Sequence, residues 1–228
     1  MIYPIEVKNL YYQYAGKEES ILRGINLQIR KGEVVGIVGL SGNGKSTLCY
    51  CMCGIIPHIY KGKLKGEALL FGEPVKNMDL AAVATKVGVV FQDPDTQLFS
   101  PTIEDEIAFG PENLCLSREE ISERVSEAID LVGMGKYRYS NPYHLSGGQK
   151  QLIALASILS LKPEILIFDE AMAQIDTEGR KLIKEKIVAL KNTGKTILMV
   201  EHDFSNLDIA DRIMVLKDGK LEVFQGKL

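Results

Sequence analysis

The chain predicts an α/β fold: a parallel-sheet core, an antiparallel side sheet at its N-terminus and a helical segment inserted into the core. Three observations carry this reading. Four short apolar runs, "EVVGIVG", "KVGVVFQD", "EILIFDE" and "TILMVEHD", have the length and continuous hydrophobicity of strands buried on both faces. Helical patterns lie between them, the alternation that builds parallel sheets. Each run ends in polar or glycine residues: a glycine-rich loop, Gln92, Asp169 with Glu170, and His202. Ligands of such sheets bind beyond the carboxyl ends of the strands, so these four ends converge on one candidate site.

The elements follow in order. "IEVKNLYYQY" and "INLQIRKGE" alternate apolar with polar residues around a turn at Ala15–Ser20, which suggests antiparallel strands over the first 35 or so residues. "CYCMC" places Cys49, Cys51 and Cys53 on the helix expected after the glycine-rich loop. Cys49 and Cys53 share a face there and Cys51 points away, so buried packing fits better than metal ligation. From Thr102 to Leu145 no strand pattern occurs. "SREEISERVSEAIDLV" opens with a capping box, Ser117 with Glu120, and brings Ile121, Val125, Ala128, Ile129 and Val132 to one face. With no repeat or long linker, residues 1–228 read as one domain with a helical subdomain at about 102–160.

Composition narrows the function. Apolar residues make up 46% and charged residues 25%, the balance of an ordinary globular domain. A net charge of −3 gives no general attraction to nucleic acid. "MIYPIEVKNL" lacks the apolar core of a signal peptide, and no apolar run approaches the ~18–20 residues that span a bilayer. The four cysteines, three of them within "CYCMC", fit a reducing compartment.

"GLSGNGKST" matches G-x-x-x-x-G-K-[ST] between a strand and a helix, the context of a phosphate-binding P-loop. Gly39, Ser41, Gly42, Asn43, Gly44 and Thr47 form the cradle. Lys45 reaches the β- and γ-phosphates of ATP, and the Ser46 hydroxyl ligates Mg²⁺. Asp169 suits the Mg²⁺ shell and Glu170 suits polarising the attacking water. "HLSGGQKQ" supplies a second anion site, a helix N-terminus capped by Ser146, with Gly147, Gly148 and Gln149 leaving backbone N–H groups exposed.

A P-loop, then Gln92 at a strand end, "LSGGQ", "FDE" and His202 is the motif order of ATP-binding cassette (ABC) ATPases, which the chain resembles over essentially its whole length. The resemblance implies a head-to-tail pair, each ATP held between one chain's P-loop and the partner's Ser146–Gln149. It implies catalytic roles for Lys45, Glu170 and His202, Mg²⁺ contacts from Ser46, Gln92 and Asp169, an Asp176 contact across the pair, and adenine stacking on Tyr14, with Tyr12 a competitor. "FQDPDTQLFS" and "EDEIAFGPENL" narrow it to the ATPases of energy-coupling factor (ECF) importers of vitamins and transition-metal ions. Such ATPases sit on the cytoplasmic face of the membrane as peripheral subunits, on a transmembrane coupling protein that holds a substrate-binding membrane subunit. The partner ATPase is a second copy or a paralogue. Basic coupling helices are then expected at Glu104, Asp105, Glu106 and Glu112.

The chain departs from the family at "DEAMAQID", where Ala171, Met172 and Ala173 replace the Pro, Thr and Ser of "DEPTSALD"-like loops. Leu152 stands where Arg is usual. These changes bear on whether both sites hydrolyse, so a dimerising module with weak turnover is the alternative reading. "FQGKL" ends where relatives commonly continue, as in a trimmed chain or half of a tandem ATPase. A soluble DNA-repair or translation ATPase would carry a coiled coil or a second cassette, and neither is visible. A GTPase or small-molecule kinase has no use for "LSGGQ", and no Asn-Lys-x-Asp motif occurs.

Overall fold

The structure is a computed structural model and describes residues 2–226. The chain runs β1 (Ile5–Tyr14), β2 (Leu22–Ile29), β3 (Val34–Val38), α1 (Lys45–Met52), α2 (Ile55–His58), β4 (Gly62–Leu70) and β5 (Glu73–Pro74). It continues through α3 (Leu80–Lys86), β6 (Val87–Val90), α4 (Ile103–Asn113), α5 (Arg118–Val132) and α6 (Gly147–Leu159). The last elements are β7 (Ile165–Asp169), α7 (Thr177–Asn192), β8 (Thr196–Glu201), β9 (Arg212–Lys217) and β10 (Lys220–Val223).

The four apolar runs become β3, β6, β7 and β8 of a six-stranded sheet ordered β10-β9-β3-β8-β7-β6. β3, β8, β7 and β6 pair in parallel, so their carboxyl ends share one edge. Both faces of this sheet are covered, which explains the lack of alternation in these runs. Val35, Ile37, Ile165, Ile167, Leu198 and Val200 pack with α1 and the side sheet. Val34, Leu166, Phe168, Ile197 and Met199 pack with helices α4 to α7.

The side sheet is larger than the sequence reading allows. Its order is β2-β1-β4-β5, so residues 62–74 join the N-terminal hairpin after α1 and α2 have intervened. β4 escapes detection because "GKLKGEALL" is polar at its start and apolar only at its end. The C-terminal hairpin β9–β10 is likewise absent from the sequence reading, although β9 pairs in parallel with β3. Between β6 and β7 lie α4, α5 and α6. Ile121 is half-buried while Val125, Ala128, Ile129 and Val132 are buried, as the α5 pattern predicts.

Ser117 caps α5 by accepting from the Glu120 amide, but the capping box is half made. The Glu120 carboxylate turns instead to Arg124, which donates to it at 2.7 Å. An i, i+4 ion pair has displaced the return bond to the cap. Cys49, Cys51 and Cys53 are all buried, because they pack in the core between the two sheets while Ser46 and Tyr50 take the open side of the helix. Burial pushes the Cys51 thiol above its ordinary range and the Cys53 thiol up to about 11, so both stay neutral packing groups.

Candidate nucleotide site

The loop after β3 is built for a close approach of backbone. Gly42 and Gly44 have φ of 80° and 96°, left-handed values that an L side chain resists. A Cβ on Gly39 would stand 2.4 Å from the Leu216 carbonyl of β9, so only glycine lets the loop lie against the sheet. Asn43 Nδ2 donates to the same carbonyl at 3.2 Å. The cradle is thus held from beneath by β9, an element the motif itself does not contain.

Lys45, the first residue of α1, is 4% exposed and curls back over the loop. Its Nζ donates to the carbonyls of Gly39 at 2.8 Å and Leu40 at 3.1 Å. It also pairs with Glu170 Oε1 at 3.1 Å and lies 3.2 Å from His202 Nδ1. His202 Nε2 lies 2.5 Å from Glu170 Oε2. The tautomer with its proton on Nε2 donates to Glu170 and accepts from Lys45, while the Gly39 carbonyl lies 3.3 Å from Nδ1 without a proton between them. Three strand ends therefore meet in one charged knot. Glu170 takes a left-handed φ of 55°, costly for a residue with a Cβ, and this turn carries its carboxylate off the end of β7.

Beside the knot, Ser46 Oγ donates to Asp169 Oδ1 at 3.1 Å. Burial pushes the Asp169 carboxyl upward and the Ser46 hydroxyl opposes that shift. Ser46, Asp169 and Gln92 line one cleft of about 360 Å³ together with Tyr50, Tyr60 and Phe91. A hydroxyl, a carboxylate and an amide oxygen are hard donors that fit Mg²⁺, an ion that keeps waters and phosphate oxygens rather than an all-protein cage. The described residues contain no cluster of three or more His, Cys, Asp or Glu side chains able to hold a metal. A larger cleft of about 880 Å³ lies elsewhere, lined by Glu6, Lys8, Arg30, Glu33 and Arg212. Its charges largely satisfy one another, as in the Arg212–Glu33 and Lys8–Glu6 pairs, so it offers no comparable chemistry.

The two tyrosines weighed for adenine separate cleanly. Tyr12 is fully buried and its hydroxyl reaches the Lys61 carbonyl, which removes it from contention. Tyr14 is half-buried and lines an open cleft with Lys17, Ser20, Ile21 and Arg23. The Tyr14 hydroxyl lies 3.0 Å from Thr47 Oγ1, so Thr47 serves the cradle by fixing this ring to α1.

The Ser146 helix cap forms as its sequence predicts. Ser146 caps α6 in a full capping box, its hydroxyl accepting from the Gln149 amide while Gln149 Oε1 accepts from the Ser146 amide. Gln149 Nε2 donates to the Tyr137 hydroxyl at 3.2 Å, so this side chain shapes the turn while Ser146 and Gly147 stay exposed. Gly148 packs on Ile175 and Gly179, and Gly147 lies over the Gln174 carbonyl. The turn and the 173–176 loop therefore form one surface. Asp176 caps α7, accepting from the Gly179 amide at 2.9 Å.

Comparison with known proteins decides the family. Residues 22–173 match the ABC transporter family. The chain belongs to the ABC transporter family of ATPases. It is 41% identical over 223 residues to the energy-coupling factor transporter ATP-binding protein EcfA of Methanocaldococcus jannaschii, covering 96% of this chain and 78% of that protein. It is 45% identical over 223 residues to a putative ABC transporter ATP-binding protein of Methanosarcina acetivorans, covering 97% of this chain but 35% of the relative. A Methanosarcina mazei relative is covered to 38%, so the chain spans little more than a third of some relatives. Among solved structures, cbiO1 from Clostridium perfringens, part of the ABC transporter complex cbiONQ, superposes with a TM-score of 0.87 at 33% identity. That match covers 98% of this chain and 88% of cbiO1.

Within this ABC fold, the departures at 171–173 divide in two. Ala171 and Met172 are fully buried, so they are core packing, and only Ala173 is exposed on the surface beside Ser146. Leu152 is likewise a buried core residue of α6. The acidic stretch needs correction. Glu106 is 3% exposed, and its Oε2 accepts from the amides of Phe99 and Ser100 at 2.9 and 2.7 Å, so it anchors a loop. Glu104 is half-buried and paired with Arg138. Of the four, only Asp105 and Glu112 are exposed.

Sequence reasoning missed two buried polar residues behind the site, Gln151 and Glu201. Gln151 Nε2 donates to the Phe91 carbonyl at 2.7 Å, next to Gln92. A glutamine on the apolar face of α6 and a glutamate ending a buried strand were the available signals.

Proposed function

We propose that this chain binds and hydrolyses ATP to energise an ECF-type importer of a vitamin or transition-metal ion. It works from the cytoplasmic face as a peripheral subunit in an ATP-sandwiched, head-to-tail pair. The observation that carries the reading is the convergence of Lys45, Ser46, Asp169, Glu170 and His202 at one sheet edge. The Ser146 turn, by contrast, is exposed on a separate helix end and bonds only within its own motif and to Tyr137. No helix among the described residues is long and apolar enough to cross a membrane, which agrees with a peripheral place. The names of the relatives, energy-coupling factor ATP-binding proteins and a subunit of the ABC transporter complex cbiONQ, support the importer class.

The chain's own groups account for the chemistry. The glycine backbone and Lys45 hold the phosphates, and Tyr14 faces the base. Ser46, Gln92 and Asp169 would hold Mg²⁺, which when bound would neutralise phosphate charge. Glu170 accepts a hydrogen bond from the attacking water and orients it, and His202 holds the Glu170 carboxylate in place from its Nε2 side. Ser146 and the exposed amides beside it serve the phosphate held by the partner chain.

The decisive experiment isolates the chain with its native membrane neighbours and measures ATP hydrolysis with and without them. Turnover together with a co-purifying transmembrane coupling subunit supports the proposal. Nucleotide binding without turnover in either setting would instead favour a dimerising regulatory module.

A further inference from the structure

Two buried side-chain oxygens among the described residues have no hydrogen-bond partner, Gln151 Oε1 and Glu201 Oε1. Glu201 holds to its own loop: its other oxygen accepts from Asn206 Nδ2 at 3.1 Å, and burial pushes the carboxyl up to about 7. Gln151 reaches across to another element. It is the fifth residue of α6 and 1% exposed, on a helix whose other buried residues are all apolar. A methionine or leucine there would fill the space with no polar atom left unpaired. The glutamine is explained by the bond its amide makes, and such local conflicts concentrate where function requires them.

That bond falls on the residue before Gln92. Gln151 Nε2 donates to the Phe91 carbonyl at 2.7 Å. The Phe91 amide donates to Gln97 Oε1 at 2.9 Å, and Gln97 Nε2 donates to the Val89 carbonyl at 3.1 Å. Both backbone groups of Phe91 are thus held by side-chain amides, one from its own loop and one from α6. The Phe91 carbonyl and the Gln92 N–H belong to one planar peptide unit. Holding that oxygen fixes the plane from which Gln92 starts, and Gln92 itself is exposed where it lines the cleft with Ser46 and Asp169. A second tie joins the same elements, Lys150 Nζ to Asp95 Oδ1 at 2.7 Å, but Asp95 is exposed and a pair open to water holds loosely. The buried amide is the firmer link.

We propose that Gln151 is a positioning residue for Gln92, and that its bond to Phe91 makes the place of Gln92 depend on the helix that begins at the Ser146 turn. The inference rests on the ATPase reading above, in which Gln92 would face Mg²⁺ and Ser146 a phosphate held by the partner chain. Ser146 caps α6 five residues before Gln151, about 7.5 Å along one helix. A displacement of the turn therefore arrives at the Phe91 peptide through one helix and one hydrogen bond. In a head-to-tail pair the Ser146 turn and the Gln92 of one chain belong to different composite sites. The link would carry occupancy of one site to the metal ligand of the other.

The test uses Gln151→Met and Ser146→Ala in the full chain with isotope-labelled glutamine, free of nucleotide. The chain has eight glutamines, so eight backbone amide signals report at once. Gln151→Met keeps the length of the side chain and removes the donor. It is expected to shift the Gln92 signal while Gln13, Gln28 and Gln174 stay fixed. Ser146→Ala is expected to shift the Gln92 signal too, and to lose that effect when Gln151→Met is already present. In hydrolysis assays Gln151→Met is expected to need about tenfold more Mg²⁺ for half-maximal turnover, the scale usual when a group behind a metal ligand is lost. An unmoved Gln92 signal overturns the proposal, as does an equal shift of every remaining glutamine or a Ser146→Ala effect that survives Gln151→Met. So does an unchanged Mg²⁺ requirement beside a shifted signal. Should Gln151→Met fail to fold, the scalar coupling between Gln151 Nε2 and the Phe91 carbonyl carbon in the wild type decides together with Ser146→Ala: no coupling, or an unmoved Gln92, overturns the proposal. If the wild-type chain hydrolyses no ATP, the ATPase reading fails, while the nucleotide-free spectra still decide the positioning role.

Discussion

Lys45 has four contacts within its own chain, to two carbonyls, Glu170 and His202. A phosphate that takes Lys45 must compete with the Glu170 carboxylate for it. Glu170→Gln removes that competitor together with the group that orients the water. It is expected to bind MgATP at least as tightly as wild type and to lose about 10²–10⁴-fold in turnover. Equilibrium binding and steady-state hydrolysis check both halves, and turnover within twofold of wild type would remove Glu170 from its role. Glu201 makes a second residue-level prediction. Its carboxyl sits at about 7 in the folded chain against a usual 4.5. Between those values the folded chain holds a proton that the unfolded chain has released, so this group's contribution to stability falls as pH rises from about 4.5 to about 7. The span corresponds to about 3 kcal/mol. Melting curves across that range should show the slope in wild type and a flatter one in Glu201→Gln; parallel curves would refute it.

At the scale of elements, legibility in the sequence followed what each element rests on. The P-loop, the Ser146 cap and the α5 face are local patterns, and they formed as read. β4, β9 and β10 were not legible, because their reason for being strands is a neighbour far away in sequence: β4 completes a sheet begun by β1, and β9 lies against β3. Glu106 shows the same limit for a side chain. Among other acids it reads as surface charge, but the turn before α4 folds two backbone amides onto it. Glu106→Ala strands both donors and is expected to cost about 2–4 kcal/mol, since bonds to charged groups are the stronger ones. Chemical denaturation measures this. A loss under about 0.5 kcal/mol would return Glu106 to the solvated surface.

For the whole molecule, the proposed head-to-tail pair, with the Ser146 turn set apart from the P-loop of its own chain, predicts complementation. A chain with Lys45→Ala and a chain with Ser146→Arg are each expected to be inactive alone. Mixed, they form a pair in which one composite site collects both lesions and the other joins an intact P-loop to an intact Ser146 turn. Recovered hydrolysis supports the head-to-tail sandwich, and no recovery from demonstrated mixed pairs contradicts it. The sheet order has a further consequence, for synthesis. β3 has β8 and β9 as its two neighbours, and Gly39 rests on the carbonyl of Leu216. The residues that cradle phosphate therefore leave the ribosome some 150 residues ahead of the strands that give them shape, a lead of about 8–30 s at ordinary elongation rates. During that interval the nascent chain carries the motif without the geometry. Nucleotide in the cell has nothing to grip until β8 and β9 have been made, and ATP enters the life of this protein as a ligand of the finished sheet, never as a template for building it.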